Sequence, residues 1–132
     1  MQILVDADAL VALAKEDDTN HQKAIKIAQK LKSDVLFASC FAIPEAATVL
    51  SHRVSQKAAG EFLKNVRQRK INIIYLNSEL EKMADQIFLA QKTKGISWPD
   101  CFNMAMVQKF SLEAIFSFDK IYKKNGFTTV TA

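Results

Sequence analysis

Short apolar runs alternate with longer amphipathic stretches along this chain. Residues 3–5, 35–38, 71–76 and 114–118 are apolar runs rich in β-branched or aromatic side chains, which is typical of buried strands. Between them, apolar positions such as Ala24, Ile27 and Leu31 recur every three or four residues, which indicates helices with one buried face. Strands separated by helices cannot pair through tight hairpins, so we expect a mostly parallel sheet with helices on both faces.

Local start and stop signals predict the bounds of six helices. They are expected over residues 9–15, 20–31, 39–53, 55–69, 78–94 and 97–110. Asp8 is the expected N-cap of the first helix. The fifth helix is expected to begin with a capping box at Ser78 and Glu81 and to end with a C-cap at Gly95. Asn125-Gly126 predicts a turn, and residues 128–131 a short last strand. The predicted fold is a three-layer α/β/α sandwich with a mostly parallel central sheet of about five strands.

Composition indicates a single globular domain spanning residues 1–132. Hydrophobic residues make up 49% and charged residues 24% of the 132 positions, which predicts a buried core and excludes a disordered chain. The apolar runs are far shorter than the roughly 20 residues that cross a bilayer, and Met1 leads directly into a predicted strand. We therefore expect a cytoplasmic protein without membrane contact. The net charge of +4 permits a polyanionic partner without requiring one.

Four acidic residues stand close to the carboxyl ends of the predicted strands. Asp6 follows the first strand and Asp119 the last apolar run, while Glu45 and Asp100 occupy the first turns of helices. Because ligands of parallel sheets gather outside the carboxyl ends of the strands, these four side chains are expected to converge. Carboxylates without neighbouring His or Cys pairs favour Mg²⁺ or Mn²⁺ over zinc. Each acid alone could also be structural, as a helix cap, a turn former or a partner of the helix dipole.

Four segments together resemble the PIN domain, and the closest resemblance for a chain of this length is to the VapC toxins of toxin–antitoxin pairs. The segments are residues 5–13 (VDADALVAL), 44–50 (PEAATVL), 98–105 (WPDCFNMA) and 116–122 (FSFDKIY), with Gly126-Phe127 after the last. The resemblance covers the whole chain, in order. It implies a metal-dependent ribonuclease whose divalent ion is held by Asp6, Glu45, Asp100 and Asp119. It also implies a homodimer and an antitoxin partner.

Several further residues are candidates for supporting roles. Asn103 and Thr48 each lie three positions after a proposed ligand, so their side chains can hydrogen-bond a carboxylate or a bound water. Asp8 departs from the usual pattern of the family, and could be a helix cap, a partner that orients a ligand or an additional carboxylate. The basic residues after Asp119 are expected to hold phosphates of the RNA substrate; these are Lys120, Lys123 and Lys124.

Three other functions are kept as alternatives. A PIN ribonuclease that processes RNA without an antitoxin would carry the same residues. A module that binds RNA or protein without cleaving it would keep the fold alone. The sequence Asp6-Ala7-Asp8 after an apolar strand also resembles haloacid-dehalogenase-type phosphotransferases, but the later acidic pair of that family is missing.

Overall fold

The computed structural model describes residues 1–131, and in these residues it contains four strands and seven helices. In chain order they are β1 (Gln2–Val5), α1 (Ala7–Ala14), α2 (His21–Lys30), β2 (Val35–Ser39), α3 (Ala42–Arg53), α4 (Gln56–Arg67), β3 (Ile71–Ile74), α5 (Ser78–Leu89), α6 (Trp98–Phe110), β4 (Ala114–Phe116) and α7 (Ile121–Lys124).

The sheet is parallel throughout and has the strand order β3-β2-β1-β4. Leu4 at the centre of β1 lies opposite Phe37 of β2 on one side and Ile115 of β4 on the other. The strand order reverses at β1, because β2 and β3 lie on one side of it and β4 on the other. The carboxyl ends of β1 and β4 are therefore neighbours at the point where a ligand site is expected.

Alternating side chains of β1 enter two separate cores. Ile3 and Val5 pack with buried residues of α1, α2, α3 and α4, whereas Leu4 packs with α5, α6 and Tyr122 of α7. The period of two along a strand sends successive side chains to opposite faces, which is how three consecutive residues serve both cores. The predicted α/β/α sandwich with a parallel sheet is confirmed.

A fifth strand is not formed in the described residues. Thr129 makes only an isolated parallel bridge with Ile115, through two backbone hydrogen bonds that flank it. The pairing does not extend because β4 itself spans only three residues. The turn before this bridge is as predicted, with Gly126 at a φ of +84°, a conformation that favours glycine.

Several helix boundaries differ from the predictions. Helix α3 begins at Ala42 and not at Ser39, because Ser39 is the last residue of β2. The N-cap of α1 is Asp6 and not Asp8, and the helix begins at Ala7. The N-cap of α5 is Asn77, whose side chain accepts a hydrogen bond from the backbone N–H of Leu80. This helix ends at Leu89, five residues before the predicted end.

The early end of α5 has a tertiary cause. The side-chain amide of Gln91 donates to the backbone oxygen of Ile87 at 3.1 Å and to Asn125 Oδ1 at 2.9 Å. These bonds satisfy a carbonyl of the last turn and tie the segment to the loop after α7. Gly95, at a φ of +102°, lies in the connecting loop rather than at the helix end.

In residues 1–131, no helix is both long enough and apolar enough to cross a lipid bilayer.

Candidate acidic site

Asp6 is the most buried carboxylate of the site, with 8% of its surface exposed. It directly follows β1, and its Oδ1 caps α1 by accepting from the backbone N–H of Ala7 at 2.8 Å. The same oxygen accepts from Asn103 Nδ2 at 3.1 Å, and Oδ2 accepts from the hydroxyls of Ser117 at 3.2 Å and Tyr122 at 2.8 Å. The strand end, the helix cap and three side-chain donors therefore fix this carboxylate.

Asp8 joins the loop after β4 to the start of α1. Its carboxylate accepts from Ser117 Oγ at 2.9 Å and from the backbone N–H of Phe118 at 2.8 Å. Since Asp6 is the helix cap, the expected capping role of Asp8 is wrong. Asp8 is a further carboxylate beside Asp6, and it orients the segment that carries Asp119.

Asp100 faces Asp6 across a single hydroxyl group. Its Oδ1 lies 3.2 Å from the hydroxyl of Tyr122, which also contacts Asp6. A capping box with Ser97 fixes the helix start, because Asp100 Oδ2 accepts from the Ser97 N–H while the Ser97 hydroxyl accepts from the Asp100 N–H. The sequence predicted a helix from residue 97, and the structure confirms this start with Ser97 as the N-cap.

Glu45 and Asp119 lie at the edge of the cluster and are exposed. Glu45 stands in the first turn of α3, without a side-chain hydrogen bond among those found in the described residues. Asp119 Oδ1 accepts from the backbone N–H of Ile121 at 3.0 Å, and its own N–H donates to Ser117 Oγ at 3.1 Å. Asp119 therefore also forms the turn that begins α7.

Burial and mutual repulsion raise the pKa values of several of these groups. Burial, followed by the charge of Asp8, raises the pKa of Asp6 to about 7 although its hydrogen bonds act in the opposite direction. Burial also raises the pKa of Asp8, with a contribution from the charge of Asp119. The pKa of Glu45 is raised by partial burial and then by the charges of Asp100 and Asp8. The five acids therefore form one electrostatic unit.

No cationic side chain offsets this charge within the described part of the chain, where the ion pairs are Met1 with Asp34, Lys15 with Asp17 and Lys109 with Glu79. Across residues 1–131, no three His, Cys, Asp or Glu side chains converge closely enough to form a complete metal cage. Mg²⁺, however, keeps several waters and needs only one or two carboxylates of the protein. The all-oxygen donor set and the unneutralised charge thus fit a hard divalent cation.

The two predicted supporting residues differ in their contacts. Asn103 lies against Asp6 and Tyr122, with only 3% of its surface exposed, and its Oδ1 is buried without a hydrogen-bond partner. Thr48 donates instead to the backbone oxygen of Pro44 at 2.9 Å within its own helix. The structure therefore brings Asn103 into the site, and shows no hydrogen bond from Thr48 to Glu45.

The three lysines proposed to hold RNA phosphates lie on α7 and at its start. Lys120 is the N-cap residue, Lys123 and Lys124 form the last turn, and all three are exposed. The same helix carries Tyr122 into the cluster, so the lysines and the acids share one short element.

Ser117 and Tyr122 are residues of the site that the sequence analysis did not select. Ser117 is 5% exposed and contacts both Asp6 and Asp8, while Tyr122 is fully buried between Asp6 and Asp100. Ser117 stands directly after β4, where side chains reach the carboxyl edge of the sheet, and this position is a signal that could have identified it.

The sequence model of the PIN domain family matches residues 3–127. The chain belongs to the PIN domain family. This assignment covers nearly all of the sequence and replaces the phosphotransferase alternative. A comparison with curated proteins finds no match.

Several solved structures share the fold. VapC20 of Mycobacterium tuberculosis, described as a sarcin-ricin loop cleaving toxin, superposes with a TM-score of 0.90 at 22% identity, over 98% of this chain and 99% of that one. VapBC2 from Rickettsia felis, bound to a DNA fragment from the promoter, superposes with a TM-score of 0.72 at 12% identity, over 98% of this chain and 96% of that one. VapBC-1 from nontypeable Haemophilus influenzae superposes with a TM-score of 0.67 at 12% identity, over 99% of this chain and 98% of that one. These similarities show that the fold is that of VapC toxins.

Proposed function

We propose that this chain is a divalent-metal-dependent ribonuclease that hydrolyses phosphodiester bonds of RNA. The observation that carries the proposal is the cluster of Asp6, Asp8 and Asp100 at the carboxyl ends of β1 and β4 in a PIN domain. Within residues 1–131, this cluster has no cationic partner. A structural role alone gives no reason to bury like charges together, because their repulsion destabilises the folded state.

Asp6 and Asp100 would hold Mg²⁺ or Mn²⁺ directly, with Glu45 and Asp119 acting through water. When bound, the ion would supply positive charge to the scissile phosphate and lower the pKa of the attacking water. The chain's own residues do the positioning. Asn103, Ser117 and Tyr122 orient the carboxylate of Asp6 through hydrogen bonds.

Glu45 is suited to accept a proton from the attacking water. The pKa of its carboxyl is raised by partial burial and by the charges of Asp100 and Asp8, which makes it a stronger base than an isolated glutamate. Lys120, Lys123 and Lys124 would bind backbone phosphates on either side of the cut, and so place the RNA without reading its sequence.

Substitution of the ligands tests this function. Asp6→Asn and Asp100→Asn should each remove RNA cleavage by a factor of about 100 or more while the circular dichroism spectrum is retained, because the acids act as one unit. Asp17→Asn is the matched control, since Asp17 is 84% exposed and pairs only with Lys15. Cleavage by either site variant at the rate of the control would refute the assignment.

A role as the toxin of a toxin–antitoxin pair is the more specific form of the proposal, and the similarity to VapC20 and to VapBC complexes supports it. The acidic site also suits an Arg of an antitoxin, whose planar guanidinium binds carboxylates in a bidentate manner. A groove of about 220 Å³ between α3 and α4, one turn beyond Glu45, offers space for the adjoining segment of that partner.

Growth of a bacterial host distinguishes the toxin from an RNA-processing enzyme. Expression of the wild-type chain should arrest growth, and both Asp6→Asn and co-expression of an adjacently encoded partner should relieve the arrest. Normal growth with abundant wild-type protein that cleaves RNA in vitro would favour the processing enzyme.

A further inference from the structure

The hydroxyl of Tyr122 occupies the space between the two proposed direct ligands. It lies 2.8 Å from Asp6 Oδ2 and 3.2 Å from Asp100 Oδ1, and the tyrosine ring is fully buried in the core formed with α5 and α6. Asp6 and Asp100 come from elements that are distant in the sequence, the end of β1 and the start of α6. Tyr122 is thus a direct hydrogen-bonded link between them.

The hydrogen-bonding capacity of this hydroxyl determines what it can do. Asn103 Nδ2 donates to it at 2.9 Å, so an acceptor site of the phenol oxygen is filled by an amide. The single proton of the hydroxyl is then shared between the two carboxylates. A neutral group therefore links the two carboxyl groups, in a place where no cationic side chain of residues 1–131 is paired with them.

We propose that Tyr122 is a positioning residue that holds Asp6 and Asp100 at the spacing of metal ligands, and that this bridge sets the affinity of the site for a divalent cation. The inference rests on the proposed function, because it concerns the same site. Ser117 does not duplicate the bridge, since its hydroxyl reaches Asp6 and Asp8 but makes no hydrogen bond to Asp100.

Tyr122→Phe removes the bridge and keeps the ring. Asn103 Nδ2 still contacts Asp6 in this variant, so its amide keeps a partner. The dissociation constant of Mn²⁺, measured by calorimetry on the metal-stripped full chain, should rise about tenfold, as is typical when a residue that orients a ligand is lost. Tyr75→Phe is the matched control, because Tyr75 is 69% exposed and lies outside the site.

A second readout separates positioning from packing. The Mn²⁺ concentration that gives half-maximal RNA cleavage should rise by the same factor in Tyr122→Phe, and should keep its wild-type value in Tyr75→Phe. A residue that only fills space would lower the melting temperature without changing the Mn²⁺ affinity. Equal Mn²⁺ affinity in Tyr122→Phe and Tyr75→Phe would overturn the inference.

The wild-type chain gives an independent test that needs no folded variant. It contains two tyrosines, so ¹³Cζ labelling of tyrosine produces two signals, one from the buried Tyr122 and one from the exposed Tyr75. Addition of Mg²⁺ should shift the Tyr122 signal and leave that of Tyr75 unchanged. Mg²⁺ binding by calorimetry with no shift of Tyr122 would refute the bridge, whereas an absence of any Mg²⁺ or Mn²⁺ binding would refute the proposed function itself.

Discussion

Asp6 shows which physical effect prevails when a carboxylate is both well hydrogen-bonded and buried. Four donors contact it, and hydrogen bonds to the charged form lower a pKa. The opposite effects of burial and of the neighbouring charge of Asp8 are larger than the effect of these hydrogen bonds, so the pKa of Asp6 rises to about 7 in the metal-free chain. The residue therefore holds a proton that a cation would displace.

The stability of the metal-free chain should decrease as the pH rises from 5 to 8. The pKa of Asp6 is about 7 in the folded state, against an ordinary value of 3.8, so its contribution to stability is complete below pH 4 and is lost as the pH rises through 7. The raised pKa values of Asp8 and Glu45 act in the same direction. The melting temperature in EDTA should fall by several degrees over this range.

Asp6→Asn provides the comparison for this pH profile. The melting temperature of this variant should decrease much less between pH 5 and 8 than that of the wild type, while the melting temperature of Asp17→Asn should follow the wild type. A wild-type melting temperature that rises with pH would contradict the raised pKa of Asp6. A melting temperature of Asp6→Asn that falls with pH as steeply as that of the wild type would contradict it as well.

At the scale of elements, helix starts were predictable where one local signal dominates. Ser97 and Asp100 form a capping box at the predicted start of α6. At α1, both Asp6 and Asp8 are good capping residues, and the choice depends on the sheet, where the Asp6 N–H donates to the backbone oxygen of Phe116 in β4. The end of α5 depends on a contact of Gln91 with Asn125, which is 34 positions away and invisible to a local pattern.

The N-cap of α6 should couple helix stability to the site. Ser97→Ala should cost about 1 kcal/mol of unfolding free energy. It should also weaken Mn²⁺ binding, because the lost hydrogen bond from the Asp100 N–H to the Ser97 hydroxyl fixes the first turn of α6, which carries the Asp100 carboxylate. Asn77→Ala removes the equivalent cap of α5 and should cost a similar amount without changing Mn²⁺ affinity. Chemical denaturation and calorimetry measure both quantities, and equal Mn²⁺ affinities in the two variants would contradict the coupling.

At the scale of the whole molecule, the site is assembled from β1, α3, α6 and the segment from β4 to α7. The acids could be selected from the sequence because they follow strands or begin helices, and parallel strands bring such positions to one edge. Tyr122 could not, since its contact with Asp6 spans 116 positions and depends on how the segment after β4 folds back. Ser117 stands directly after β4, so its position carried the same signal as that of the acids. The fold followed from the alternation of strands and helices, which needs no such long-range detail.

The homodimer implied by the family resemblance stays a prediction. Leu89 is 81% exposed, Tyr75 69% and Val54 51%, and a dimer interface would bury such apolar side chains. Light scattering at micromolar concentration should give the mass of two chains rather than the 14.8 kDa of one. A monomer mass across this concentration range would contradict the dimer.

The most direct test of the central claim is RNA cleavage by the metal-stripped chain before and after a divalent ion is restored. We expect no cleavage in EDTA, recovery with Mg²⁺ or Mn²⁺, binding without recovery for Ca²⁺, and no requirement for zinc, because an all-oxygen site with few protein ligands suits small hard cations. Cleavage at full rate in EDTA, or recovery in Asp6→Asn as large as in the wild type, would show that the acidic cluster is not the metal-dependent ribonuclease site.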